Sequence, residues 1–116
     1  MPAETLIHNA RLLIFGGVPA DGWLLVRDGR IADLGRGAPP ATDGQRLDAQ
    51  GAILAPGLVD LHVHGALGHD TMDATPEALG VIARFQVEHG VTSFLATTMS
   101  RPTDEVLAAL RVIAAV

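Results

Sequence analysis

Several residue types are missing or scarce in this chain, and each absence narrows its possible functions. The 116 residues include no cysteine, which excludes disulfides and thiolate metal sites. They include no lysine, so the eight basic residues are all arginines, and these are scattered along the chain. Tyrosine is absent and aromatic residues make up only 3%. Without a basic stripe or a platform for stacking bases, we predict no nucleic-acid partner.

Long apolar runs are also missing. None approaches the roughly 20 residues that cross a bilayer, and the amino terminus lacks the basic start and apolar core of a signal peptide. Hydrophobic residues nevertheless make up 48% of the chain and charged residues only 18%, which is typical of a folded core rather than of disorder. We expect a cytoplasmic protein with no membrane partner.

The first 55 residues have the pattern of short strands joined by tight turns. Asp28-Gly29 is a two-residue hairpin signal, and the segment GAPPATDG at residues 37–44 breaks any regular element. The predicted strands cover residues 5–15, 23–27, 30–35, 46–48 and 52–54. The pattern predicts a small antiparallel β-sandwich portion as a first domain, residues 1–55.

From residue 56 onward, strands and helices alternate. The predicted order is a strand at 58–64, a helix at 76–89, a strand at 91–97 and a helix from 103, with both strands apolar enough to be buried on two faces. This order indicates a parallel sheet with right-handed crossovers. A closed barrel needs eight strands and typically about 250 residues. The second domain, residues 56–116, therefore reads as the first two βα units of a (β/α)8 TIM-like barrel, incomplete in this chain, and we expect a longer parent protein.

Two histidines end the first strand of this second domain. In PGLVDLHVHG, residues 56–65, strand alternation places Asp60, His62 and His64 on one face. Two imidazoles at i and i+2 can converge on one ion, with nitrogens about 2.0–2.1 Å from a zinc. The carboxylate of Asp60 could orient an imidazole from behind. A pair of hydrogen-bonded core histidines is the simpler interpretation, and spacing alone leaves both open.

The same residues carry a resemblance to a known family. A small sheet domain followed by PGLVDLHVHG resembles the entry into the barrel of the amidohydrolase superfamily, which includes dihydroorotase-like, hydantoinase-like and deaminase branches. The continuation is narrower: HGALGHDTMDAT at residues 64–75 and HGVTSFLATT at residues 89–98 are similar to N-acetylglucosamine-6-phosphate deacetylases. The match is densest from residue 54 to residue 100.

The resemblance implies a metal-dependent hydrolase that removes acetate from N-acetyl-D-glucosamine 6-phosphate. It implies one or two divalent ions, zinc or iron, with His62 and His64 as ligands, and a homodimer as the full-length assembly. The family's other ligands, a glutamate and two later histidines, and its proton-shuttling aspartate would lie beyond residue 116. We therefore assign no catalytic residue within this chain and expect the isolated chain to be inactive.

Other polar residues near the predicted site are not assigned. Asp70 and Asp73 could touch a substrate or cap the loop, His69 is expected to be exposed, and Thr97 and Thr98 could line a pocket or satisfy the backbone. We attribute His89 to the dipole of its helix and regard His8 as structural. Two alternatives remain open. One is another amidohydrolase branch, and the other is a non-catalytic truncated module.

Overall fold

The computed structural model describes residues 4–14 and 17–116, and the chain divides into two compact units with the boundary between Pro56 and Gly57. The strands are β1 (Glu4–Leu12), β2 (Ala20–Arg27), β3 (Arg30–Gly35), β4 (Gln45–Asp48), β5 (Ile53–Leu54), β6 (Leu58–Val63), β7 (Gly65–Ala66), β8 (His69–Asp70) and β9 (Val91–Ala96). The α-helices are α1 (Pro76–Glu88) and α2 (Thr103–Ala115), and a 3-10 helix covers Thr71–Asp73. The carboxyl end of the predicted first strand, Phe15, lies outside the described residues.

The first unit contains one mixed sheet with strand order β3-β2-β1-β4, and β5 also pairs with β1. The pairs β1–β2 and β2–β3 are antiparallel as predicted, but β4 and β5 run parallel to β1. The prediction of an antiparallel unit is therefore wrong for these two strands. The irregular segment 36–44 carries the chain from β3, across β2, to the far side of β1. After this crossing β4 runs parallel to β1, whereas a hairpin would have made neighbouring strands antiparallel. Among the described residues of this unit there is a single sheet rather than two packed layers.

The turn between β2 and β3 follows its sequence signal. Asp28 and Gly29 have φ values of 51° and 72°, which fits a two-residue turn with two left-handed positions. Behind this hairpin, Leu6, Trp23 and Leu25 form the buried cluster of the unit. Alternation along β1 and β2 thus places one face of the sheet on a small core.

The second unit has the predicted strand–helix–strand–helix order, with β6 and β9 paired in parallel. Helix α1 begins where the sequence indicates, because the Thr75 hydroxyl accepts a hydrogen bond from the amide of Ala78 at 3.2 Å and proline occupies the first helical position. The helix ends at Glu88, one residue earlier than predicted. Its buried residues are Ala78, Leu79, Ile82 and Gln86, whereas the side chain of Val87 is exposed.

The prediction that the two parallel strands are buried on both faces is wrong for the described residues. Leu58, Val59 and Leu61 on β6 and Leu95 on β9 are between 59% and 70% exposed. Helix α2 buries only Ala109, and its Leu107 and Leu110 are exposed. The physical reason is that apolar patterning indicates what a strand is suited to contact, while burial also needs a second covering layer. None of the described helices is long and apolar enough to cross a membrane.

Candidate metal centre

His62 and His64 turn toward each other at the carboxyl end of β6. Their Nε2 atoms lie 3.1 Å apart, and the two rings meet edge to face with centroids 4.9 Å apart. Two nitrogens bound to one zinc at about 2.0–2.1 Å are themselves roughly 2.9–3.4 Å apart, for the angles of octahedral or tetrahedral coordination. The observed separation lies within that interval. The separation fits two nitrogens that share one divalent ion, and it equally fits a hydrogen bond between the two rings.

A hydrogen bond to the next strand orients His64. Its Nδ1 lies 3.1 Å from the backbone carbonyl of Thr97, which can only accept, so Nδ1 carries the proton and Nε2 presents its lone pair. The Thr97 amide donates in turn to the carbonyl of Val63 at 2.8 Å. The Thr97 hydroxyl donates to the carbonyl of Leu95 and so serves the backbone. A carbonyl behind a ligating imidazole is the usual device that fixes tautomer and ring orientation.

Asp60 lies in β6 just before the two histidines, but its carboxylate makes no hydrogen bond to either imidazole. Its Oδ1 accepts a hydrogen bond from the backbone amide of His62 at 3.0 Å, and its Oδ2 accepts one from Nε2 of Gln86 at 2.9 Å. These two donors, the amide of His62 first, lower the pKa of Asp60 from its ordinary value. The expectation that Asp60 orients an imidazole is wrong, because a short aspartate side chain reaches the amide two residues ahead more readily than a ring.

Gln86 was missed by the sequence reasoning. Its side chain is 5% exposed and lies on the buried face of α1 with Leu79 and Ile82. A signal for it exists in the sequence. Residues 79, 82 and 86 follow helical spacing, so a glutamine at the third position is a polar group on an apolar stripe and needs a buried partner. That partner is Asp60.

The loop that follows the histidines is a short hairpin, β7–β8, leading into the 3-10 helix. Gly65 has no room for a side chain, because a Cβ there would overlap the carbonyl oxygen of His69. Asp70 caps the 3-10 helix by accepting from the amide of Met72 at 2.8 Å, and Asp73 accepts from the amide of Asp70 at 2.9 Å. The two carboxylates therefore form a capping box.

Two further histidines of this unit lie apart from the metal-type pair. Exposed His69 is 3.7 Å from an oxygen of Asp73, while Nδ1 of His89 contacts the carbonyl of Phe85 at 2.7 Å in the last turn of α1. His8, in β1, belongs to the other unit. Within residues 4–14 and 17–116, no group of three or more His, Cys, Asp or Glu side chains is placed to hold a metal. Among the described residues, the convergent metal-type side chains are thus the two histidines His62 and His64.

No protein-family model matches the chain. Solved structures that superpose on the chain include N-acetyl-D-glucosamine-6-phosphate deacetylases and a D-hydantoinase. One of them is a deacetylase from Mycobacterium smegmatis, solved in complex with N-acetyl-D-glucosamine-6-phosphate. It superposes with a TM-score of 0.82 at 26% identity, over 97% of this chain and 29% of that one.

Curated relatives with similar sequences are named as amino-sugar phosphate deacetylases. The N-acetylglucosamine-6-phosphate deacetylase of Bacillus subtilis is 32% identical over 111 residues, 95% of this chain and 28% of the relative. The N-acetylgalactosamine-6-phosphate deacetylase of Escherichia coli O157:H7 is 36% identical over 109 residues, again 28% of the relative. The chain is therefore homologous to part of these amino-sugar phosphate deacetylases, which confirms the resemblance seen in the sequence. It spans between a quarter and a third of their length.

Proposed function

We propose that this chain is part of a metal-dependent hydrolase that converts N-acetyl-D-glucosamine 6-phosphate into glucosamine 6-phosphate and acetate. The observation that carries the proposal is the convergence of the His62 and His64 Nε2 atoms at 3.1 Å, in a chain homologous to deacetylases of this kind. In this proposal residues 1–55 contribute to a β-sandwich, residues 56–116 begin a (β/α)8 barrel, and the whole protein is a homodimer. The remaining ligands and the proton-shuttling carboxylate lie in the rest of the polypeptide.

The donor set suits a divalent ion. Imidazole nitrogens bind zinc, iron, nickel and copper alike, and we propose zinc or iron from the resemblance to the deacetylase family. A bound ion would supply a water of lowered pKa and polarise the amide carbonyl of the substrate. His64 is ready to bind through Nε2, because Thr97 holds the proton on Nδ1. His62 donates from Nε2 to His64 when no ion is bound, so its ring must carry the proton on Nδ1 instead before Nε2 can bind the same ion.

The test uses the full-length polypeptide that contains this chain. We expect it to release acetate from N-acetyl-D-glucosamine 6-phosphate and to lose activity when a chelator removes its metal. The double variant with His62→Gln and His64→Gln should bind less zinc and lose at least about tenfold in kcat/KM, the scale of losing groups that hold a metal. The matched control, His89→Gln, alters a histidine of α1 outside the pair and should leave both quantities unchanged. Activity on a cyclic amide, with none on the amino sugar, would assign the protein to another amidohydrolase branch.

A second substrate has a specific observation in its favour, namely the galactosamine-type relative at 36% identity. The two sugars are epimers, so the ratio of kcat/KM values for N-acetylglucosamine 6-phosphate and N-acetylgalactosamine 6-phosphate decides between them. We expect the glucosamine epimer to be preferred.

The intact mass of the native polypeptide tests the alternative of a non-catalytic truncated module. A mass equal to the 12.1 kDa of this chain would leave such a module without the remaining ligands.

A further inference from the structure

Strand β6 is irregular where its histidines begin. Asp60 pairs with Phe94 and Val63 pairs with Ala96, so β6 advances three residues while β9 advances two. The extra residue lies in the Leu61–His62 step, and the pairing gives neither of these residues a partner on β9. Such a bulge changes the direction of side chains and weakens the ladder locally. A bulge next to a ligand pair therefore needs something else to hold its backbone.

The side chains of Asp60 and Gln86 supply that support. The His62 amide, which has no partner position in the ladder, donates to Asp60 Oδ1 at 3.0 Å. The other oxygen of the carboxylate accepts from the buried Gln86 amide of α1 at 2.9 Å. The result is a continuous path from a rigid helix, through a carboxylate held at both oxygens, to the backbone of a predicted metal ligand. The two bonds together leave Asp60 little rotational freedom.

We propose that Gln86, acting through Asp60, is a positioning residue that fixes the β6 bulge and so holds His62 Nε2 against His64 Nε2. This inference rests on the proposed metal-binding role of the pair. The polar side chain at position 86 favours a positioning role over simple core packing. The neighbouring buried positions of α1 are apolar, and leucine would satisfy position 86 without needing a partner. A buried glutamine there has a reason only if its bond to Asp60 matters.

The experiment measures zinc affinity by competition with a chromophoric chelator on the full-length polypeptide. The zinc ion that is measured is the one that the double variant with His62→Gln and His64→Gln no longer binds. Gln86→Leu should weaken the binding of that ion about tenfold or more, as expected for groups that orient ligands. The thermal midpoint of unfolding should be unchanged or higher. Gln86→Glu, which sets two carboxylates against each other, should weaken it at least as much. The matched control, Gln45→Glu on exposed β4, should bind zinc like the parent protein.

Rescue separates positioning from general damage. In the double variant Asp60→Asn with Gln86→Glu, the asparagine carbonyl can accept from the His62 amide and its NH₂ group can donate to the new glutamate. Both bonds are then restored, and only the bond between positions 60 and 86 has its donor and acceptor exchanged. We expect zinc affinity within about threefold of the parent, and the cobalt-substituted protein should recover its absorption spectrum. Zinc binding by Gln86→Leu equal to that of the parent would overturn the inference. If the histidine double variant itself lost no zinc, the proposed function would fail instead.

Discussion

At the scale of single residues, steric fit beside the histidines is as important as ligand chemistry. Gly65 follows His64 directly, and the backbone of the β7–β8 hairpin passes so close that a Cβ would overlap the carbonyl oxygen of His69. The absence of a side chain at this glycine therefore permits the hairpin to close immediately after the two histidines.

A pair of identical substitutions tests that role. Gly65→Ala should lower the free energy of unfolding by about 1–3 kcal/mol, the usual cost of forcing extra atoms into a packed site. Gly80→Ala is the control, since Gly80 is exposed within α1 and a Cβ there meets nothing within 4 Å. It should raise stability by about 0.5–1 kcal/mol through helix propensity. Denaturant unfolding followed by far-ultraviolet circular dichroism suits both, because both helices lie in this unit, and shifts of the same sign would contradict the steric argument.

At the scale of elements, the sequence predicted best what depends on neighbouring residues. Helix α1 begins at Thr75 and Pro76, and the β2–β3 turn falls on Asp28 and Gly29, because caps and turns are local chemistry. The direction of β4 was predicted wrongly, since its choice of β1 as partner depends on contacts between distant residues.

For the histidine pair, too, local features were predicted and features that depend on distant contacts were not. Alternation placed Asp60, His62 and His64 on one face, but alternation assumes a regular ladder and could not indicate the bulge between Asp60 and Val63. Nor could it join Asp60 to a residue of the following helix. The convergence of the two histidines was therefore predictable from spacing, while the hydrogen bond from Gln86 to Asp60 required the fold.

Glu4 links three elements of the first unit and makes its stability depend on pH. Its carboxylate accepts from the Thr42 hydroxyl and from the Arg27 guanidinium at 2.7 and 2.9 Å, which joins β1, β2 and the segment 36–44. The Thr42 hydroxyl first, and then Arg27, lower the pKa of Glu4. A carboxyl group whose pKa is lower in the folded state stabilises the fold above its unfolded pKa, and this contribution disappears as pH falls through the folded value.

Glu4→Gln should therefore flatten the acid side of the stability profile. We expect the variant to be less stable than the parent at neutral pH and the difference to shrink once the pH falls below about 4.3, the ordinary glutamate pKa. The urea midpoint at several pH values measures it, followed by fluorescence of Trp23, the single tryptophan, which lies in β2 of the same unit. Glu88→Gln, at the end of α1, is the control and should leave the profile of this signal unchanged. A parallel shift at every pH would assign Glu4 a role independent of its charge.

At the scale of the whole molecule, the exposed apolar side chains agree with the proposal that a larger barrel surrounds the parallel strands. Leu61 is 70% exposed and Leu95 is 59% exposed, although both lie in strands whose composition suits burial on two faces. Exposed apolar side chains on neighbouring strands mark either an interface or an aggregation hazard when they form one patch. The two strands also leave open edges that can pair with other chains.

We therefore expect the isolated 116-residue chain to self-associate and to bind a hydrophobic dye, as measured by sedimentation velocity and fluorescence at micromolar concentration. Leu61→Ser should reduce both signals, since it removes the most exposed apolar side chain of β6. Val18→Ser is the matched control, because Val18 is 86% exposed but belongs to the first unit. In the full-length polypeptide, where Leu61 is proposed to be covered, Leu61→Ser should instead destabilise the fold by about 2–5 kcal/mol. A monomeric isolated chain, unaffected by Leu61→Ser, would mean that these strands need no further covering layer.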